Sequence, residues 1–301
     1  MGNRLFLFGP ATTTATWHKN PPPFLGGDKK EVGFYFGLVK QKDFCYNENM
    51  RKILVILWVL ILGACAHKNP LSDMAFQTTM APPHVVASWY KITRPGEAVK
   101  IYIEGDGNAF DSEGIPTDNP TPKGEFMRCL AANDPSPNVV YLGRPCQYLQ
   151  TGACSPKDWT TGRFSKVIID SMDEVIKAFM KKAKTKQIIL IGFSGGAQVT
   201  GLVAVRHPGW IKKWITISGV LDQKAWSDYH GDKPLVGSLN LKDKQKELKK
   251  IDQIHYVGDE DEVVPPELVQ RMADLENIRV IKGAGHGTGY EKIYPEIYEV
   301  K

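Results

Sequence analysis

The sequence predicts an open, doubly wound α/β fold with a mostly parallel sheet, on three observations. Six short runs of β-branched and apolar residues, at 99–103, 139–142, 188–191, 214–217, 254–257 and 279–281, are punctuated by Gly, Pro or Asp. These runs are apolar with little alternation, the pattern of strands buried on both faces, as a parallel sheet requires. Longer segments with a helical apolar period stand between them, and such alternation is the mark of strands joined by crossover helices. Sites in such sheets lie at the carboxyl ends of the strands.

Taken in order, residues 165–183 place Val167, Ile168, Met172, Val175, Ile176 and Phe179 along one helical face, with Ser165 as N-cap. Residues 195–207 and 265–275 are the next two helical segments. Residues 222–250 interrupt the alternation as a small insertion. It opens on a turn-rich stretch, Trp226-Ser227-Asp228-Tyr229-His230-Gly231, and ends in a charged run from Lys242 to Lys250 that reads as a solvated helix face. Lying between two core strands, the insertion stands where a substrate cover would sit.

The chain has 301 residues, 42% hydrophobic and 24% charged, as ordinary globular proteins do, which excludes a collagen-like, coiled-coil or wholly disordered chain. Only one long apolar run occurs, so a polytopic membrane protein is excluded as well. Eight of the 38 Lys/Arg and four of the 33 Asp/Glu fall in residues 1–64, leaving the remainder within one charge of neutral. Nucleic acid is therefore not an expected partner, because its binding calls for a basic face.

Met50-Arg51-Lys52 precedes ten apolar residues, 53–62, and then Gly63-Ala64-Cys65. A basic head, a short apolar run and small residues make a secretory signal. A membrane span needs roughly 20 apolar residues. Leu62-Gly63-Ala64-Cys65 also resembles the bacterial lipobox, which implies that Cys65 is lipidated and anchors the product to a membrane. Ala66 in the following position implies outer-membrane sorting, with the protein facing the periplasm. Residues 1–49 then read as an extension upstream of a start at Met50, 50–64 as the signal, 65–84 as a tether and 85–301 as the folded domain. Export permits disulfides. Cys146 and Cys154 flank a short Gly-containing loop and are the expected pair, with Cys129 left as a buried thiol. No Cys or His spacing reads as a metal site.

The strongest chemical motif is Gly192-Phe193-Ser194-Gly195-Gly196, directly after one strand and before a helix. A nucleophile on a sharp strand-to-helix turn needs small residues two positions either side. A serine hydroxyl also needs a base and a group to orient that base. The chain offers Gly258-Asp259-Glu260-Asp261-Glu262-Val263-Val264-Pro265 after one strand and Gly283-Ala284-Gly285-His286-Gly287 after the last. His286 is late, glycine-flanked and strand-terminal; His230 and His255 are its rivals.

These three motifs, in this order across residues 85–300, resemble the α/β-hydrolase family. The resemblance implies Ser194 as nucleophile, His286 as base and Asp261 as acid, since the family's G-x-x-D-x-x-V-P runs here from Gly258 to Pro265; Asp259 is the second choice. It also implies a serine esterase acting on a small acyl substrate, with thioesters, amides and peptides as alternatives and no cofactor. An oxyanion hole takes two backbone N–H groups. Gly195 offers one, and the loop Glu104-Gly105-Asp106-Gly107 offers the other from Asp106 or Gly107, although Glu104 stands where the family often has His. The rival reading is a lipoprotein that keeps the fold for binding, motivated by Glu104 and Asp106. Arg144 and Arg163 fall in the stretch leading to the long helix, where pocket lining competes with packing and surface pairing.

Overall fold

The computed structural model describes residues 69–300. The expected upstream extension, signal and Cys65 lie outside the described residues. Eight strands form one sheet: β1 (Ala75–Ala81), β2 (His84–Ile92), β3 (Val99–Ile103), β4 (Asn138–Leu142), β5 (Ile188–Phe193), β6 (Ile211–Ile217), β7 (Gln253–Gly258) and β8 (Ile278–Ile281). Their order is β1-β2-β4-β3-β5-β6-β7-β8. From β4 to β8 every neighbour is parallel, whereas β2 runs antiparallel to both β1 and β4. The helices are α1 (Phe126–Ala132), α2 (Pro156–Trp159), α3 (Lys166–Lys182), α4 (Gly196–Arg206), α5 (Gln223–His230), α6 (Gln245–Leu248), α7 (Pro266–Gln270) and α8 (Tyr294–Glu299).

Successive strand residues point to opposite faces, so each parallel strand feeds two cores. Ile101, Ile103, Val140 and Leu190 join Met172, Ile176, Val199 and Val203 of α3 and α4 in one layer. Tyr102, Tyr141, Ile189 and Ile191 join Met127 and Leu130 of α1 and Ile297 of α8 in the other. Burial on both sides explains why these strands read as continuous apolar runs. Lys100, the charged exception within β3, donates from Nζ to the carbonyls of Ile297 (2.8 Å) and Tyr298 (2.7 Å) and lies 3.3 Å from Asp134. It thus satisfies carbonyls that α8 leaves unpaired at its carboxyl end.

The structure corrects several expectations. The folded region begins before residue 85: residues 75–81, assigned to the tether, are the edge strand β1, held by seven-residue pairing with β2. Val167 is 46% exposed, while the other five residues of the expected α3 face are buried. Ser165 caps that helix as expected, accepting from the Ile168 N–H. The turn-rich opening of the insertion is helix α5, because Asp222 accepts from the N–H groups of Lys224 and Ala225 and Gly231 closes the helix in the left-handed conformation. The Lys-rich run is a 3-10 turn followed by the single turn α6, anchored by buried Leu241, Leu248 and Ile251. Residues 265–275 are helical only through α7, after which the chain turns back into β8. Cys146 and Cys154 form a disulfide with a Cα–Cα distance of 5.7 Å. Cys129 is free and half-buried rather than buried.

Candidate active site

The carboxyl ends of β5, β7 and β8 bring three predicted side chains together. Ser194 sits between β5 and α4 at φ +50°, a left-handed conformation that is strained for a residue with a side chain. The turn is held by neighbours: the Ser194 N–H donates to Ile217 O (3.1 Å), and its carbonyl accepts from Ala197 and Val220 (both 3.0 Å). Gly196 lets α4 approach β3, since a Cβ there would stand 2.5 Å from the Ile103 carbonyl oxygen. His286, on the loop after β8, lies with Nε2 3.1 Å from Ser194 Oγ. Its Nδ1 is 3.2 and 3.1 Å from the two carboxylate oxygens of Asp261, and its ring packs against Phe193 at 5.0 Å.

Asp261 is 2% exposed, and its Oδ1 also accepts from the N–H groups of Val263 (2.9 Å) and Val264 (2.8 Å). Burial opposes its ionisation, but His286, the Val264 N–H and the Ser218 hydroxyl outweigh that and hold the carboxyl below its usual range. Ser218, at φ +48° after β6, shares a 2.8 Å hydrogen bond with the Tyr290 hydroxyl. Neither residue stands in a motif, so no local pattern marks this support. Asp259 is exposed and accepts from the Gly283 N–H at 2.7 Å, tying the β7 and β8 loops together rather than reaching His286.

The two rival histidines have other partners. His255 is buried in β7 between Thr216 Oγ1 (2.8 Å) and Gln253 Oε1 (2.9 Å), and burial pushes its pKa down to about 3. His230 Nε2 stands 2.9 Å from the Val263 carbonyl oxygen, which also accepts from Trp226 Nε1 at 2.7 Å. The insertion therefore grips the loop that carries Asp261.

The β3 loop closes the other side of Ser194. A Cβ on Gly105 would come within 3.2 Å of Ser194 Cβ, and one on Gly195 within 2.1 Å of Asp106 Oδ1. Among the described residues, nothing accepts from the backbone N–H groups of Gly195, Asp106 or Gly107. Glu104, in the unusual position, is buried and accepts from the Tyr141 hydroxyl (2.6 Å) and the Gly105 N–H (3.0 Å). Burial raises its pKa despite those donors. Asp106 pairs through Oδ1 with Arg144 Nη1 and through Oδ2 with Arg163 Nε at 3.0 Å. Burial opposes its charge, yet Arg163 and Arg144 hold its carboxyl below the usual range.

Among the described residues one cluster gathers metal-ligating atoms within 4.8 Å, namely His84, Cys146 and Asp158. The Cys146 sulfur is already committed to the disulfide, so it offers no thiolate there.

No family model matches this chain, and no curated protein matches it by sequence. Solved structures do match. Est1E from Butyrivibrio proteoclasticus is 13% identical over 74% of this chain and 94% of its own, with a TM-score of 0.52. A proline iminopeptidase from Mycobacterium smegmatis is 11% identical over 75% and 97%, with a TM-score of 0.52. An acylaminoacyl peptidase from Pyrococcus horikoshii is 15% identical over 80% of this chain and 42% of that one, with a TM-score of 0.53. With the sheet order above, these likenesses define the class: the chain has the α/β-hydrolase fold.

Proposed function

We propose that the chain is a serine hydrolase that cleaves a carboxylic ester through an acyl-enzyme. One observation carries this reading: Ser194, His286 and Asp261 form a continuous hydrogen-bonding relay, with successive gaps of 3.1 Å. In the reaction, Ser194 Oγ attacks the acyl carbonyl while His286 Nε2 takes its proton and then hands it to the leaving oxygen. Asp261 accepts from Nδ1–H, which fixes the tautomer that leaves Nε2 free to act as base. It also stabilises the imidazolium. The N–H groups of Gly195 and of Asp106 or Gly107 are the donors offered to the charge that develops on the carbonyl oxygen. Water then attacks the acyl-enzyme with His286 again as base.

Two of the structural neighbours carry peptidase names, which keeps amide cleavage as the alternative on the same machinery. The acidic residues of the β3 loop motivate a binding-only role; both have partners, which weakens it. We also propose that export and lipidation at Cys65 place the enzyme on the outer membrane, facing the periplasm. Among the described residues no helix is long and apolar enough to cross a membrane. A fluorophosphonate probe should label wild type and not Ser194→Ala, and a panel of acyl esters of rising chain length should reveal the preferred acyl group. A folded wild-type protein that neither takes the label nor turns over any ester would overturn the hydrolase reading. Detergent-dependent fractionation that persists in Cys65→Ser would overturn the anchor.

A further inference from the structure

The β3 loop contains an arrangement that the relay does not use. Arg144 and Arg163 are each 4% exposed, and both converge on the single carboxylate of Asp106. The two arginines are also joined to each other, as Arg144 Nη2 donates to the Arg163 carbonyl at 2.6 Å. Their guanidinium groups lie over the Phe164 ring at 5.1 and 5.6 Å, and Arg163 also lies 5.5 Å from the Trp226 ring centre. Gln147 completes the frame, accepting from the Arg144 N–H and donating to the Gly105 carbonyl, both at 2.9 Å. Glu104, the other nearby carboxyl, is engaged by Tyr141 and Gly105 instead.

This arrangement answers a difficulty of the site. The Asp106 carboxylate fills the space where a side chain at 195 would sit, so its loop is pressed against the residue that follows the nucleophile. A bare negative charge there would oppose the oxyanion, and the two buried arginines in turn need an anion. Two cations on one carboxylate, Arg144 hydrogen-bonded to Oδ1 and Arg163 ion-paired to Oδ2, both fix the loop and leave the cluster with net positive charge.

We propose that Arg144 and Arg163 are positioning residues that clamp the Asp106 carboxylate against Gly195, aim the β3-loop N–H groups at the oxyanion and cancel the carboxylate's charge beside it. This rests on the hydrolase reading for its kinetic consequence, but not for the clamp itself. Loss of the clamp should act on the transition state, so kcat should fall and KM should change little.

The test is a charge-balanced cycle. Arg163→Gln should lower kcat for a short-chain aryl ester by about 100-fold, the scale of losing one oxyanion donor. Asp106→Asn alone should also lower it, since two buried cations then lose their anion. The double variant Asp106→Asn/Arg163→Gln restores the original net charge and should exceed Arg163→Gln in kcat by about tenfold. Amide hydrogen exchange at residues 105–108 should quicken about tenfold or more in Arg163→Gln, and this readout needs no turnover. If Arg163→Gln fails to fold, Arg163→Lys, which keeps charge but loses the planar group stacked on Phe164 and Trp226, should give a smaller kcat loss and quickened exchange. Unchanged exchange in the folded single variants, or kcat losses that simply multiply in the double variant, would overturn the clamp. A wild type inert to ester and fluorophosphonate defeats the hydrolase reading instead, and exchange alone then decides the clamp.

Discussion

Asp261, which is buried, and Asp106, which is partly exposed, both lie beside the Ser194 turn, yet they are kept ionised by different means. Asp261 is held by an imidazole, two backbone N–H groups and a hydroxyl. None of these is a permanent cation, so its charge remains available when His286 gains a proton. Asp106 is held by two guanidinium groups, which are charged at every working pH. Its charge is already spent. In the proposed reaction a carboxylate near the serine takes its role from its partner: one would answer a proton in transit, the other would fix a loop.

The sharpest test of this contrast begins with the serine that both carboxylates serve. Ser194→Ala should reduce kcat by about 10⁶-fold, with His286→Ala as damaging and the double variant hardly worse, because relay members act as a unit. Losses that multiplied would show that the relay is not one machine. Asp261→Asn should cost about 10⁴-fold in kcat, since an amide favours the wrong imidazole tautomer. Asp259→Asn should cost at least about tenfold less, because Asp259 holds only the Gly283 N–H. The reverse ranking would transfer the acid's role to Asp259.

The β3-loop side is stiffened by the disulfide, which fixes Cys146 two residues from Arg144. Replacing Cys146 and Cys154 together by Ala should lower unfolding free energy by about 2–3 kcal/mol, measured by urea titration. An unchanged midpoint and slope would mean that the loop is held by its ion pairs alone. Behind Asp261, Ser218→Ala should lower kcat by about tenfold, as for a lost hydrogen bond to a charged group of ~1.5 kcal/mol. No change would show that Tyr290 and the backbone donors suffice. The smallest effect concerns pH. Both carboxyls are held below their ordinary range, so each contributes stability above roughly pH 4, where the unfolded chain ionises. That contribution is lost as pH falls through the lower folded values. The urea midpoint should therefore drop below pH 4, and drop less steeply in Asp106→Asn and in Asp261→Asn than in wild type.

Much of the fold was legible because parallel strands buried on both faces leave an unbroken apolar run, as at 188–191 and 254–257. The edge strand β1 was not: in Ala75–Ala81 most side chains face solvent or are half-buried, so its polar residues resembled a tether. Helix α5 was hidden because Ser, Asp and Gly look like turn formers until Asp222 and Gly231 are seen to cap the two ends. In the site, Ser194, Asp261 and His286 each sit in a glycine- or proline-marked strand end, and that local chemistry is written in consecutive residues.

The strand and helix periods, the serine turn and the chain order serine, acidic cluster, histidine are all legible in the residues alone, because each depends on neighbours along the chain. Which carboxylate meets His286, what neutralises Asp106 and what supports Asp261 were decided only by the tertiary structure. Arg144 and Arg163 are 38 and 57 positions from Asp106, and Tyr290 is 72 from Ser218. Partners so distant in the chain meet only because the sheet order brings the loops after β3, β4, β6 and β8 to one end. Charge pairing in a water-poor site depends on that proximity rather than on any local pattern.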